Sequence, residues 1–311
     1  MDRNEECRNL AEHFSQMLRL GNIIDIQEVS MDAYDKGYSG AELFRVECSF
    51  EHGETASFIC KKADRKERLT ILRLTAQGHR HTPAAYAEDC ISPGPQWMIQ
   101  QDLGKRTAAP QNNPNWMRNV AAAFAEIHGN NMGLADEMPW LPCADADYWN
   151  QIVTQLSVSH FEKAVCEDAN FARQFEAVLP SLQAAGRQFA DDMVSLCQET
   201  EWMTLTHGDV QDVNGSHVYP IGLHPYLIDF GFSRYAPFYI DLADYFSLEE
   251  AEFYRAALAD KGYCIRKKEF EERFRTASSY PGFIYMFPAI MQWKRGSDTR
   301  LLRCLRRILH R

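Results

Sequence analysis

Hydrophobic positions at three- and four-residue steps (Leu10, Phe14, Met17, Leu18) predict a helix over residues 4–20. From about 23 to 60 the pattern changes. Short runs rich in β-branched, aromatic and alternating residues, Ile23-Ile24-Asp25-Ile26, Leu43-Phe44-Arg45-Val46 and Ser57-Phe58-Ile59-Cys60, are separated by glycine, serine and acidic residues. They predict an antiparallel meander of three strands, followed by a helix over 64–77. Pro93-Gly94-Pro95 is a turn, and Trp97-Met98-Ile99 predicts one more strand. Residues 104–114 are polar, with two prolines, and read as a loop. Beyond Trp116 helical periods dominate, near 115–128, 147–163, 168–198, 240–259 and 267–276, and only 204–232 interrupts them with loops and short apolar runs. The pattern predicts an α+β chain in which a strand-rich lobe precedes a larger helical one.

Composition narrows the class. The 311 residues, 45% hydrophobic, suffice for one large domain or two lobes. The N-terminal MDRNEECRNLAEHF carries charges where a signal peptide needs an apolar stretch, and no run of 18 apolar residues occurs. These features predict a cytoplasmic protein without stable membrane insertion. Nine cysteines without a CxxC pair predict reduced, mostly buried thiols. A net charge of −10 argues against a general nucleic-acid binder, which needs basic surface, and suits a cationic partner. The charge is uneven: residues 294–311 hold seven Lys or Arg against one Asp.

The sharpest chemistry is Leu205-Thr206-His207-Gly208-Asp209-Val210-Gln211-Asp212-Val213-Asn214, followed by Leu227-Ile228-Asp229-Phe230-Gly231. Phosphoryl transfer needs a carboxylate to orient a hydroxyl and take its proton, and hard oxygen ligands for a magnesium ion on the β- and γ-phosphates. An Asp, an Asn five residues on and a second Asp after a short hairpin supply that set. The bland alternative is that Asp209 and Asp212 cap a turn and Asp229 ends a strand.

His-Gly-Asp-x-x-x-x-Asn followed by Ile-Asp-Phe resembles the aminoglycoside phosphotransferase and choline kinase family, relatives of the protein kinases. The resemblance implies a bilobal protein-kinase-like fold, with a small antiparallel-sheet N-lobe (1–101) that binds nucleotide and a large, mostly helical C-lobe (102–311) that carries catalysis and the acceptor. It assigns Asp209 as catalytic base and Asn214 and Asp229 as Mg²⁺ ligands. Lys36-Gly37-Tyr38-Ser39-Gly40-Ala41-Glu42 resembles the nucleotide loop, where Gly37, Ser39 and Gly40 let backbone N–H groups approach phosphates. Lys61, ending Phe58-Ile59-Cys60-Lys61, resembles the strand lysine, with Lys62 as competitor. Glu67 is its implied helix partner and Glu88 the alternative. Gln100, Gln101 and Asp102 resemble the hinge whose backbone meets the adenine edge.

Ala121 to His128 resembles the helix behind the catalytic loop, with His128 structural. Tyr235-Ala236-Pro237-Phe238-Tyr239-Ile240-Asp241-Leu242-Ala243 resembles the run whose Asp, here Asp241, braces that loop. The similar segments run in order from Lys36 to Phe246. One departure is Gly215-Ser216 after Asn214, where the family continues with apolar residues.

The implied function is a small-molecule kinase using ATP, with GTP as the alternative, on a hydroxyl acceptor. Acidic stretches at Asp145 and Asp147, Asp191-Asp192, Glu199 and Glu201, and 249–252 favour an aminoglycoside or another amine-bearing alcohol. Sugar, macrolide and amino-acid hydroxyls stay open. The rival readings are a non-catalytic kinase-like binding module and a lipopolysaccharide or protein kinase; only eleven residues separate Asp229 from Asp241, which favours a small acceptor. His79 and His81 read as a polar loop rather than a metal site. Arg300 to Leu309 reads as a basic amphipathic helix that docks its leucine face.

Overall fold

The computed structural model describes residues 3–29, 42–78, 80–105, 108–110, 113–211 and 216–309. The loop residues Gly37, Ser39 and Gly40, together with His79 and Asn214, lie outside them. The strands are β1 (Ile23–Val29), β2 (Leu43–Phe50), β3 (Thr55–Ala63), β4 (Ala85–Tyr86), β5 (Gln96–Gln101), β6 (Met203–Thr206), β7 (Val218–Ile221), β8 (His224–Leu227) and β9 (Arg234–Pro237). The first helices are α1 (Arg3–Met17), α2 (Arg65–Ala76), α3 (Pro114–Asn131), α4 (Ala146–Val153), α5 (Ser159–Glu167), α6 (Ala169–Phe175) and α7 (Leu179–Cys197). Those that follow are α8 (Tyr239–Tyr245), α9 (Ala251–Ala259), α10 (Lys267–Ala277), α11 (Tyr280–Ile284), α12 (Met286–Lys294) and α13 (Thr299–Leu309). The chain divides into two compact units: residues 1–123 with 217–233, and 124–216 with 234–311.

In the first unit the expected meander β1-β2-β3 is antiparallel, and β5 and β4 extend it to a five-stranded sheet in the order β1-β2-β3-β5-β4. Alternation on β2 sends Phe44, Val46, Cys48 and Phe50 to one face, where Leu10, Ala11 and Phe14 of α1 cover them. Each such aromatic or branched side chain contributes about 1.5–3 kcal/mol by leaving water. Asp64 caps α2 by accepting the Glu67 N–H at 2.8 Å. One turn on, the fully buried Arg68 guanidinium donates to the carbonyls of Ala63, Asp89, Ser92 and Gly94, which locks the turn before β5 to the helix.

The β7–β8 hairpin belongs to this unit although it follows the His-Gly-Asp motif at 207–209 in sequence. Leu227 N–H donates to the His81 carbonyl at 2.7 Å, Asn119 Nδ2 to Leu223 at 2.8 Å and the Tyr219 hydroxyl to Gly104 at 2.7 Å. A division at residue 101 by sequence position leaves this hairpin out. His81 is buried against Pro225 and stacks on His224 with ring centroids 4.8 Å apart.

The second unit is helical around a two-strand ladder, β6 with β9. The helix expected over 147–163 is one helical run in which a π-turn at Thr154–Val158 separates α4 from α5. Its first residue, Thr154, turns its hydroxyl back onto the Asn150 carbonyl at 2.6 Å. The long helices expected over 168–198 and 240–259 are each broken, at Glu176–Val178 before Pro180 and between Tyr245 and Ala251. Helix α13 buries Leu301, Cys304, Leu305 and Ile308, so its apolar face docks as the pattern predicts. It meets α11 at Gly282, where an added Cβ would fall 2.6 Å from Ile308 Cγ1 and 2.9 Å from the Cys304 carbonyl oxygen. All nine cysteines are free, with Cys7, Cys48, Cys60 and Cys304 buried and Cys143, Cys166 and Cys264 exposed. No described helix is long and apolar enough to cross a membrane.

Candidate active site

In the first unit β3 lies between β2 and β5, and its alternation decides between the two lysines. Lys61, 9% exposed, donates to Glu67 Oε1 at 2.6 Å and to Asp229 Oδ1 at 2.7 Å. Lys62 points to the other face, pairs with Glu42 at 2.9 Å and lies over the Trp97 ring. Glu88 is exposed, so Glu67 is the partner. Burial works against the charge on Lys61, but Glu67 and then Asp229 more than reverse it and hold the ammonium's pKa above its ordinary value. Burial raises the Glu67 carboxyl despite Lys61.

Asp229 sits two residues beyond the end of β8 in the left-handed region, φ 64°, a conformation that costs a non-glycine residue about 1–3 kcal/mol. Its carboxylate is 40% exposed, and His217 Nε2 stands 3.8 Å from Oδ2. Among the described residues no three His, Cys, Asp or Glu form a metal cluster. Magnesium held on a nucleotide needs only one or two protein oxygens beside phosphates and waters, and a part-exposed carboxylate fits that need. On the hinge, Gln101 N–H donates to Ala84 and Gln100 pairs across to Ala85 and Ile59. The Asp102 side chain receives Arg45 Nε at 2.7 Å and the Gly104 N–H at 2.9 Å, so it braces the strand exit.

In the second unit the loop after β6 is gripped by two acids one turn apart on α8. Asp241 accepts the His207 N–H at 2.7 Å and the Gly208 N–H at 2.8 Å, and His128 Nε2 lies 3.1 Å from it. Asp244 accepts the Val210 and Gln211 N–H groups at 2.8 and 3.1 Å. Tyr280 donates to the Gly208 carbonyl at 2.7 Å. Ser216 donates its hydroxyl to the Val210 carbonyl at 3.2 Å, so the residue that departs from the family pattern ties the far end of the loop back to its start. Asp241, Asp244, His128 and Tyr280 are buried, and the amides of His207, Gly208, Val210 and Gln211 find their partners within the protein.

Asp209, between the two gripped pairs, is half-buried and receives the Tyr285 hydroxyl on Oδ1 at 2.6 Å. The same phenol oxygen is 2.9 Å from Asp244 Oδ2. Burial, against which the Tyr285 bond works, and the nearby Asp209 push the Asp244 carboxyl up to about 7. Tyr285, Asp244 and His217 are site neighbours that the sequence reading did not single out. Tyr285 is 76 residues from Asp209 in a segment without any motif, whereas Asp244 continues the Asp241-Leu242-Ala243 run by one residue.

No protein-family model matches the chain, and no curated protein sequence does. Solved structures match its fold over nearly its whole length. The choline kinase of Cryptosporidium parvum matches at 11% identity and TM-score 0.62, covering 91% of this chain and 88% of that one. The ethanolamine kinase of Plasmodium vivax matches at 12% identity and TM-score 0.56, covering 92% and 81%. A spectinomycin phosphotransferase crystallised with ADP and spectinomycin matches at 14% identity and TM-score 0.54, covering 96% and 93%. The resemblance read from the motifs is thus met in the architecture, and the chain has the kinase-like fold of the choline, ethanolamine and aminoglycoside phosphotransferases.

Proposed function

We propose that the chain is a phosphotransferase that moves the γ-phosphoryl group of ATP onto a hydroxyl of a small molecule in the cytoplasm. The observation that carries this reading is Lys61 held at 2.6 and 2.7 Å between Glu67 and Asp229. A buried cation balanced by one enclosed and one part-exposed carboxylate is poised to receive phosphate oxygens, because Asp229 can turn from the lysine to a metal. Nucleotide-binding enzymes of this fold, such as the ADP-bound spectinomycin phosphotransferase, support it.

In this reading Gly37, Ser39 and Gly40 offer backbone N–H groups to the phosphates, and the main chain of Gln100 to Asp102 meets the adenine edge. Asp229 and Asn214 would hold Mg²⁺, which supplies neutralisation of the β- and γ-phosphate charge. Asp209 orients the acceptor hydroxyl and takes its proton as the oxygen bonds to phosphorus, and ADP leaves with the electrons of the broken bond. No residue is phosphorylated on the way, so rate comes from positioning and charge stabilisation.

Thermal shift with Mg·ATP and Mg·GTP, on the wild type and on Asp229→Ala, tests the nucleotide half. Stabilisation that disappears in the variant is the expected result. Folded protein that neither nucleotide stabilises would leave a non-catalytic binding module as the better reading.

A further inference from the structure

A cavity of about 290 Å³ opens within the second unit, lined by Arg300, Arg303 and Arg307 together with Gln211, Asp244 and Tyr285. Its volume is at the small end of sites that enclose metabolite-sized ligands. The three arginines stand at i, i+3 and i+7 of α13 and so share one helix face. Arg300 lies over the Tyr285 ring, 4.8 Å from its centroid, and Arg307 Nη1 donates to the Ala243 carbonyl at 2.7 Å. Among the described residues none of the three has a carboxylate within ion-pair distance. Converging guanidinium groups repel one another, and a bound oxyanion relieves that repulsion with paired hydrogen bonds.

A second observation points to the same place. Asp244, 1% exposed and part of the cavity wall, has one oxygen, Oδ1, without a hydrogen-bond partner. A buried oxygen in that state is costly, and a ligand that completes its hydrogen bonding removes the cost. Burial pushes this carboxyl up to about 7, so near neutrality it is available as a donor. The other ionisable groups that face it are Asp209, Tyr285, Cys304 and the arginines, and the cations outnumber the one ordinary carboxylate.

We propose that this cavity is the acceptor subsite and that it takes an oxyanion: the acceptor is a hydroxyl compound bearing a phosphate or carboxylate, held by Arg300 and Arg303, with Tyr285 as the wall shared with Asp209. The assignment of the cavity to the acceptor rests on the phosphotransferase reading; the anion site itself does not. It reverses the expectation of a cationic acceptor, and four of the acids behind that expectation have local tasks. Asp145 caps α4, Glu199 pairs with Arg273 at 2.6 Å, Glu250 accepts the Ser247 N–H and Glu252 holds Arg255. An ammonium ion in the cavity would face three guanidinium groups instead.

The test begins with inorganic phosphate alone, titrated by thermal shift without nucleotide or metal into wild type, Arg300→Gln/Arg303→Gln and Arg306→Gln. Arg306 is on the same helix outside the cavity wall and is exposed. Stabilisation by phosphate should be present in wild type and Arg306→Gln and lost in the double variant; if the double variant does not fold, the exposed Arg303→Gln alone should weaken it at least threefold. A phosphate shift that survives in the arginine variants, or none in wild type, overturns the anion site. Release of ADP is then followed with sugar phosphates and hydroxy acids against aminoglycosides and choline. Turnover confined to the anionic set, with KM raised at least tenfold in the double variant, supports the acceptor assignment. Turnover of the cationic set alone overturns it. Phosphate binding with no response to Mg·ATP keeps the anion site and removes the phosphotransferase reading, whereas an Mg·ATP response without phosphate binding does the reverse.

Discussion

Tyr285 Oη stands 2.6 Å from Asp209 Oδ1 and 2.9 Å from Asp244 Oδ2, so one phenol hydrogen faces two carboxylates. It can be given to only one of them. The shorter contact takes it to Asp209, and Asp244 Oδ2 keeps the amide hydrogens of Val210 and Gln211. A buried acid, a phenol and a half-buried acid thus form a chain that ends at the proposed base. Tyr285→Phe removes the middle link. A hydrogen bond to a charged group is worth about 1.5–3 kcal/mol, so kcat should fall roughly 10- to 100-fold, with KM for ATP near the wild-type value. Steady-state kinetics on both substrates checks this, and an unchanged kcat would remove Tyr285 from the site.

Asp209→Asn keeps the loop's shape and removes the proposed proton acceptor. Turnover should drop by about 10²- to 10⁴-fold, the usual contribution of a positioned base, while Mg·ATP stabilises the variant as it does the wild type. Wild-type turnover in this variant would show that another group takes the proton.

Lys61→Met strands Glu67, 8% exposed, without its cation. Breaking a buried pair on one side costs about 3–5 kcal/mol, so the urea midpoint should fall and the Mg·ATP response should vanish. Asp229→Ala should lose the nucleotide response with less damage to the fold, because Lys61 retains Glu67. Equal destabilisation by the two changes would contradict the assignment of Glu67 as the structural partner.

Asp244 makes stability depend on pH with a definite sign. Its folded pKa of about 7 lies above the ordinary 3.8, so between pH 4 and 7 the folded chain holds a proton that the unfolded chain has released. Stability from this group is complete below pH 4, declines by about 1.4 kcal/mol per pH unit, and is gone above 7. Asp244→Asn should flatten that part of the profile. Urea unfolding of both proteins at pH 5 and pH 8 tests it: the wild type should lose about 2–3 kcal/mol more than the variant over this interval, and parallel profiles would refute a raised pKa.

Asp241→Ala orphans the N–H groups of His207 and Gly208 and leaves His128 without its acceptor. Each buried donor without a partner costs about 1–3 kcal/mol, so the loss should exceed 3 kcal/mol in chemical denaturation. A change below 1 kcal/mol would mean that water reaches the loop.

The residues legible in the sequence are those that stand in short runs resembling the family's motifs: Lys61 with Glu67 six residues on, Asp209, Asp229 and Asp241. Their order along the chain was enough to name them, although Lys61 meets Asp229 across 168 residues. What was not legible depends on helix packing over long sequence separations. The hydroxyl of Tyr285 reaches Asp209 only because α11 and α12 fold back across the unit, and the arginines of α13 read as a solvated face until the cavity beside them is seen. Broken helices were hidden for a related reason: Glu176–Val178 and the segment between Tyr245 and Ala251 keep helical hydrophobic spacing through residues that tertiary packing bends.

The contact of α11 with α13 at Gly282 bears on the size of the arginine-lined cavity. The arginine wall is carried on a helix that approaches α11 closely at Gly282, where a side chain is missing. Gly282→Ala would press against Ile308 and the Cys304 carbonyl and drive the helix outward by some tenths of an ångström, widening the cavity while every lining side chain kept its identity. If this cavity is the acceptor subsite, its width is tunable from behind the wall, and a single added carbon at the seam between two helices is the smallest such step.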